Sequence, residues 1–307
     1  MTNVYPSKIY YTEEDDKPVV HIHGRTMEGV REHFTFKGTK PYFYAETPPR
    51  ASLDRVTNVE KTGKNLDGKE LYKIYTKVPR DVRKVRSQYS MHYEADIPYD
   101  DRLRIDHKII GNVDINGKSI SPPSIAEKIP LKILYIDIET DDSQGMIYPK
   151  AADGPIYCLT AYDNFSKEYH VFYVENGYKV QQERFDDIIK DETKCNYKVI
   201  FHQQSLESLM LTEFKKYADE LDPDVVTGWN ISYDTGYLKT RTLGKINFKT
   251  SIILDLMSGY ARLHEGELES KALNYVATQE LNGGKVKRNM GWMMRHHDIA
   301  QLLAYNF

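Results

Sequence analysis

Residues 132–139, KILYIDIE, form a mostly apolar predicted strand that ends in two carboxylates. Side chains alternate between the two faces of a strand, so Asp137 and Glu139 lie next to each other on one face. Two carboxylates at this spacing repel each other, and burying them costs free energy unless a cation or hydrogen-bond donors compensate the charge. The pair alone is a weak motif, because solvated or ion-paired acids also occur at strand ends.

Residues 222–241, DPDVVTGWNISYDTGYLKTR, repeat this arrangement with an apolar strand, a polar turn and Asp234 at the start of a predicted helix. Asp234 could be a helix N-cap, which is a common structural role for Asp. It could also bring a third carboxylate to the same edge of a sheet. Carboxylate oxygens are ligands that Mg²⁺ prefers, and two ions about 3.5–4 Å apart stabilise the attacking and leaving oxygens of a phosphodiester cleavage.

The segment 116–130 is rich in Gly, Ser and Pro, and we predict that it separates a domain at 1–130 from one at 131–307. Alternating patterns and turn signals predict a strand-rich α+β first domain. Alternating strands and helices predict an α/β second domain with a mixed sheet. The predicted strands are 17–25, 31–38, 40–46, 69–76, 132–139, 156–163, 168–174, 198–203 and 224–230, with extended structure at 92–106. The predicted helices are 80–88, 205–220 with Ser205 as its cap, 234–243 and 297–306.

The overall composition excludes some classes of protein. The formal net charge is −3, so the chain does not coat nucleic acid by its total charge, although a local basic groove is compatible with that value. Two cysteines far apart in the sequence predict a reduced intracellular protein. No apolar run approaches the roughly 20 residues of a membrane span, so we expect no membrane partner.

Three motifs resemble those of the 3′→5′ exonuclease of family B DNA polymerases, of the archaeal or viral type. YIDIET (135–140) resembles the first motif, D-x-E, and 222–239 resembles the second, with Asn230 one position closer to the Asp than is usual. DIAQLLAYNF (298–307) resembles the lead into the third motif, whose tyrosine would be Tyr305. KPYFYAE (40–46) and the stretch 93–106 look like parts of the N-terminal domain of these polymerases. The resemblance implies a ribonuclease-H-like exonuclease core at 131–307.

The same resemblance implies roles at a DNA 3′ end for seven side chains. Asp137, Glu139 and Asp234 would ligate two Mg²⁺ or Mn²⁺ ions, Tyr305 would orient the attacking water, and Thr140, Asn230 and Tyr233 would contact the terminal nucleotides. The alternatives are solvated or ion-paired acids for Asp137 and Glu139, an N-cap for Asp234, core packing for Tyr305, and ordinary packing and turn roles for Thr140, Asn230 and Tyr233.

DNA is the expected partner, and nothing in the chain resembles a polymerase palm, fingers or thumb. By the family pattern, the third-motif Asp would fall two residues past Phe307. We therefore expect weak or no activity of the isolated chain and a second polypeptide that carries the polymerising portion of a split polymerase. The alternatives are a non-catalytic DNA-binding or scaffolding subunit and a free-standing nuclease of the same fold.

For some other features we favour an ordinary structural role, or weigh it equally with a metal-binding or DNA-binding role. The histidines of HIH (21–23) are predicted to lie on a solvated sheet face, and His296-His297 to form a polar helix start, rather than to bind a metal. The basic segments 80–88 and 283–288 are equally compatible with phosphate contacts and with ordinary solvated surface.

Overall fold

A computed structural model describes residues 1–49, 54–117, 119–124, 127–141, 148–175, 198–264, 266 and 268–281. The chain divides into two compact units, Met1–Pro130 and Leu131–Phe307. In the described parts of the chain, no helix is both long and apolar enough to cross a membrane.

The first unit contains two antiparallel sheets and two short helices. The five-stranded sheet has the order β3-β2-β1-β8-β9, with β1 (Thr2–Glu14), β2 (Lys17–Arg25), β3 (Arg31–Lys37), β8 (Val113–Asn116) and β9 (Ser119–Ser121). The four-stranded sheet has the order β5-β6-β4-β7, with β4 (Tyr42–Ala45), β5 (Val56–Lys64), β6 (Glu70–Thr76) and β7 (His92–Tyr93). The helices are α1 (Pro79–Arg86) and α2 (Tyr99–Asp106).

The hairpin predicted for 17–25 and 31–38 is confirmed, because β2 and β3 pair from Val19↔Lys37 to Arg25↔Arg31. The extended structure predicted over 92–106 is wrong beyond Tyr93, since α2 occupies 99–106. Pro98 precedes the helix with φ −54°, and acidic residues follow in its first turn, where the helix dipole favours negative charge. These end effects outweigh the β propensity of the segment.

The second unit is built on one six-stranded mixed sheet of order β13-β12-β11-β10-β14-β15. Strand β10 pairs antiparallel with β11 and parallel with β14, so the predicted α/β class with a mixed sheet is confirmed. The strands are β10 (Ile133–Thr140), β11 (Ile156–Asp163), β12 (Tyr169–Val174), β13 (Val199–Gln204), β14 (Val225–Gly228) and β15 (Ile252–Asp255). The helices are α3 (Glu207–Leu221), α4 (Ile231–Arg241), α5 (Leu256–Leu263) and α6 (Leu273–Leu281).

One face of β10 belongs to the core of this unit. Leu134, Ile136 and Ile138 are buried in a cluster that includes Phe214 of α3 and Leu238 of α4. Because the strand has a period of two, Tyr135, Asp137 and Glu139 project from the opposite face. The pleat therefore separates the acidic pair from the apolar core by a single backbone.

The predicted N-cap of α3 is wrong, and the alternative role of Asp234 as an N-cap is excluded. Leu206, not Ser205, is the N-cap residue of α3, and it makes no side-chain cap hydrogen bond. Asn230, not Asp234, is the N-cap residue of α4, so Asp234 lies in the first turn. Each helix begins shortly after the end of the strand that precedes it. The position of that strand in the sheet, and not local capping propensity, decides where the helix starts. The helix predicted for 297–306 lies outside the described residues.

Candidate active site

Asp137 and Glu139 are half-buried on the face of β10 opposite the core. Across the strand pair, Asp137 lies opposite Thr160 and Glu139 opposite Cys158 of β11. The register shifts between Glu139 and Thr140, so regular pairing ends immediately after the acidic pair. The pair thus stands at the last regular position of the strand, as the sequence predicts.

Asp234 reaches the same strand segment from α4. Its side chain is 4% exposed, and its Oδ1 accepts a hydrogen bond of 3.1 Å from the backbone N–H of Ile138. Ile138 separates Asp137 from Glu139, so this contact fixes the third carboxylate beside the pair. The structure therefore brings together the three acids that the sequence singles out.

The electrostatics of Asp234 show that these acids act on one another. Burial raises the pKa of Asp234 to about 8, the charges of Asp137 and Glu139 add to the rise, and backbone N–H groups oppose it. Burial and the same two charges also raise the pKa of the Cys158 thiol. A concentrated negative field of this kind favours a bound cation.

The donor set fits a hard divalent cation such as Mg²⁺ or Mn²⁺, because all three side chains offer carboxylate oxygens. Among the residues that the structure describes, no group of three His, Cys, Asp or Glu side chains is placed so that it could by itself hold a metal ion. Mg²⁺ commonly takes only one or two protein carboxylates and completes its shell with water and phosphate oxygens. The three acids are therefore suitable ligands that require additional oxygen donors.

The other predicted site residues have mixed placements. Thr140 is half-buried at the end of β10, and Tyr233 stacks on Tyr237 at a ring distance of 5.7 Å. Asn230 is exposed and adopts a left-handed backbone conformation, with φ 59° and ψ 37°. Tyr305 lies outside the described residues.

Gly228 at the end of β14 is a site residue that we did not predict. A Cβ atom at this position would lie 2.6 Å from the carbonyl oxygen of Ile136, directly before Asp137. Glycine is thus the residue that allows β14 to approach β10 this closely. The sequence contains the glycine, but only the parallel register shows which atom it approaches.

We expect Gly228→Ala to destabilise the protein by about 2 kcal/mol, because the added methyl group forces the two strands apart. Urea unfolding measures this change. Gly236→Ala in α4 is the matched control, since within the described part of the chain its Cβ would meet Pro149 Cβ at an ordinary 3.4 Å, and alanine favours a helix. Equal stability of the two variants would contradict the close approach.

His21 and His23 are joined by His33 of β3, which the pairing places directly opposite His23. His21 Nδ1 and His33 Nε2 are 3.0 Å apart, and the rings of His23 and His33 stack at 4.2 Å. These contacts lie at a surface, because His33 is exposed and His21 and His23 are partly exposed. His296, His297 and residues 283–288 lie outside the described residues.

Comparison with known protein families gives one match over more than half of the chain. Residues 90–258 match the model described as DNA polymerase family B, exonuclease domain. The match includes Asp137, Glu139 and Asp234.

Curated relatives and a solved structure agree with this match. A DNA polymerase of Pyrococcus glycovorans is 28% identical over 254 residues, covering 75% of this chain and 28% of the relative. The DNA polymerase delta catalytic subunit of Plasmodium falciparum is 22% identical over 84% of this chain and 30% of its own length. The family B DNA polymerase structure from Pyrobaculum calidifontis superposes with a TM-score of 0.74 at 20% identity, covering 99% of this chain and 44% of that one. This likeness in fold supports the ribonuclease-H-like prediction, and the chain spans less than a third of the length of these curated relatives.

Proposed function

Since the chain belongs to DNA polymerase family B through its exonuclease-domain match, we propose that residues 131–307 remove nucleotides from the 3′ end of single-stranded DNA. The observation that carries the proposal is the convergence of Asp137, Glu139 and Asp234 at one strand end. We further propose that residues 1–130 are the N-terminal domain of such a polymerase, and that the activity serves proofreading.

Asp137, Glu139 and Asp234 would hold two Mg²⁺ or Mn²⁺ ions. When bound, such ions supply Lewis-acid stabilisation of the phosphate charge and activate water for attack. Asp234 holds a proton at neutral pH in the metal-free protein, because its pKa is about 8. To ligate a cation, the Asp234 carboxyl group would have to give up this proton.

The remaining predicted residues would act on the DNA and the water. Thr140, Asn230 and Tyr233 would contact the terminal nucleotides, and an aromatic ring such as that of Tyr233 offers a surface on which a splayed base stacks. Tyr305 would orient the attacking water, a positioning role that needs no proton storage by its phenol.

Nucleotide addition is a separate proposal, because this chain spans only 28% of the Pyrococcus glycovorans DNA polymerase. We propose that sequence outside these 307 residues carries it, in a second polypeptide of a split polymerase or in the same one. Mass analysis of the protein from its native source decides between the two: a single polypeptide that contains both portions would exclude the split arrangement.

The test of the exonuclease proposal is release of mononucleotides from 3′-labelled single-stranded DNA in Mg²⁺ or Mn²⁺. We expect release by the native protein and at least a roughly 100-fold loss in an Asp137→Ala, Glu139→Ala double variant, since metal stabilisation of the reaction amounts to several kcal/mol. Asp219→Asn is the control, because this exposed acid pairs only with Lys215 on α3. Equal release by the double variant and the control would contradict the proposal.

The second candidate function is a non-catalytic DNA-binding or scaffolding subunit. It is favoured because, among the described residues, no group of three His, Cys, Asp or Glu side chains could by itself hold a metal ion. Fluorescence anisotropy with labelled single-stranded DNA distinguishes the two: binding of DNA with no release of nucleotides in either metal would support the scaffold.

A further inference from the structure

The carboxylate of Asp255, the last residue of β15, accepts hydrogen bonds at the starts of two helices, α4 and α5. Its Oδ1 accepts hydrogen bonds of 3.0 Å from the backbone N–H of Met257, in its own helix α5, and of 3.0 Å from that of Asn230. Its Oδ2 accepts a 2.9 Å bond from Ser258 Oγ. The parallel pairing places Asp255, at the end of β15, beside Gly228, at the end of β14. The Asp255 carboxylate therefore reaches from β15 to the turn that follows β14.

The Asn230 turn depends on a partner of this kind. Left-handed backbone costs a non-glycine residue about 1–2 kcal/mol, although asparagine tolerates it better than most. The Asn230 side chain makes no cap hydrogen bond to α4, so the hydrogen bond to Asp255 is a side-chain contact that holds the backbone where the helix starts. The Asn230 carbonyl oxygen then accepts from the N–H of Tyr233 at 2.9 Å, one residue before Asp234.

Asp234 is therefore held from two directions. Its carboxylate is fixed to β10 through the N–H of Ile138, and the start of its helix is fixed to β15 through Asp255. If the second contact is lost, the first turn of α4 can rotate or shift while the strands stay in place. A displacement of this kind moves Asp234 relative to Asp137 and Glu139.

We infer that Asp255 is a positioning residue that fixes the Asn230 turn and thereby aims Asp234 for divalent-cation binding. Its effect on nucleotide release rests on the proposed function. Its effect on the Asn230 turn is a property of the metal-free protein.

The test uses Asp255→Ser, which separates two roles of the carboxylate. A serine oxygen still caps α5, because Ser is as good an N-cap as Asp, but its shorter side chain does not reach the Asn230 N–H. In the metal-free protein we expect hydrogen exchange of the Asn230 amide to accelerate at least about tenfold, since the amide loses its acceptor. We also expect the half-saturating Mg²⁺ concentration to rise about 10–100-fold, as for loss of a residue that orients a metal ligand.

Asp255→Asn is the conservative variant. Its amide keeps an acceptor oxygen for both backbone N–H groups, so we expect Asn230 exchange and Mg²⁺ half-saturation close to those of the wild type. If it is as impaired as Asp255→Ser, charge rather than geometry is responsible, and the inference is wrong. Asp255→Thr keeps the same capping oxygen and replaces the serine variant if that variant does not fold.

Asp163→Ser is the matched control. Asp163 Oδ1 also accepts from two backbone N–H groups, those of Phe165 at 2.9 Å and Ser166 at 2.8 Å. It pairs with Leu134 at the opposite end of β10 from Glu139. We expect this control to lose stability without a change in Mg²⁺ half-saturation.

Mg²⁺ half-saturation is measured both by nucleotide release and by the rise in unfolding temperature with Mg²⁺ alone. Wild-type values for Asp255→Ser in Asn230 exchange and in Mg²⁺ half-saturation would overturn the inference. If the wild-type protein releases no nucleotides in any metal, the proposed function fails. Amide exchange and the thermal Mg²⁺ titration still decide the role of Asp255 in that case.

Discussion

Asp234→Asn is expected to abolish metal-dependent nucleotide release and, in the same protein, to raise the stability of the metal-free state. The amide keeps an oxygen that accepts from the N–H of Ile138, so the local structure is retained. It also removes an ionisable group. In the wild type, burial and the charge of Asp137 raise the pKa of the Asp234 carboxyl group from 3.8 to about 8. Function and stability therefore place opposite demands on this side chain.

The sign of the pH dependence follows from proton binding. Between about pH 4 and pH 8 the folded protein holds a proton on Asp234 that the unfolded chain has released. Stability of the wild type therefore falls as pH rises through this window, and the stability contributed by the protonated acid is lost above it. At about 1.4 kcal/mol per pH unit the full effect has an upper limit near 6 kcal/mol, and we expect about 1–3 kcal/mol because buried sites relax.

The measurement is urea unfolding in EDTA at pH 4, 6 and 8. We expect Asp234→Asn to match the wild type at pH 4 and to exceed its free energy of unfolding at pH 8. Asp219→Asn, the exposed control on α3, should follow the wild type at every pH. If the free energies of unfolding of the wild type and Asp234→Asn changed in parallel with pH, the charged form of Asp234 would not be unfavourable in the folded protein.

Arg241→Met is expected to cost about 3 kcal/mol of stability. The guanidinium donates Nε–H to Glu207 Oε1 at 2.9 Å and Nη2–H to Oε2 at 2.7 Å, and its Nη1 donates to the carbonyl of Ala152 at 3.1 Å. Glu207 Oε1 also accepts from the N–H of Ile156 at 2.8 Å. The planar Arg241 guanidinium, together with Glu207, thus links the start of α3, the end of α4 and the start of β11. Removing it leaves a largely buried carboxylate without its cation.

Arg241→Lys should recover less than half of this loss, because an ammonium group cannot form the bidentate contact. Lys215→Met is the control: it breaks the exposed i,i+4 pair with Asp219 and should cost less than about 0.5 kcal/mol. Urea unfolding of all three variants gives the comparison. A loss for Arg241→Met no larger than that of the control would show that the fork contributes little.

The acidic centre is the part that the sequence predicts best. Strand alternation places Asp137 and Glu139 on one face, and the structure adds that Asp234 joins them through the N–H of Ile138. The roles of these acids, and that of Tyr305, stay predictions. The helix α3 is found close to where apolar spacing predicts it, because long periodic segments carry a strong signal, and α4 lies close to its predicted range.

The supporting contacts could not be predicted, because they depend on the register of strands that are distant in sequence. The approach of Gly228 to Ile136 and the bond from Asn230 to Asp255 join β10, β14 and β15. The N-cap prediction at Ser205 is wrong for a related reason. Ser205 has a favourable capping side chain, but the path of the chain starts the helix after Leu206. Tertiary geometry decides such details, and local propensity is too weak to override it.

The alternation along β10 has a further effect on how the chain reaches its native state. A slip of β10 by one residue against its neighbours would exchange the two faces of the strand. Asp137 and Glu139 would then face Phe214 and Leu238 in the apolar cluster, and Ile138 would leave it. An uncompensated buried charge costs several kcal/mol, so the mispaired sheet is disfavoured before any ligand is present. The two acids thus also select the correct strand pairing during folding.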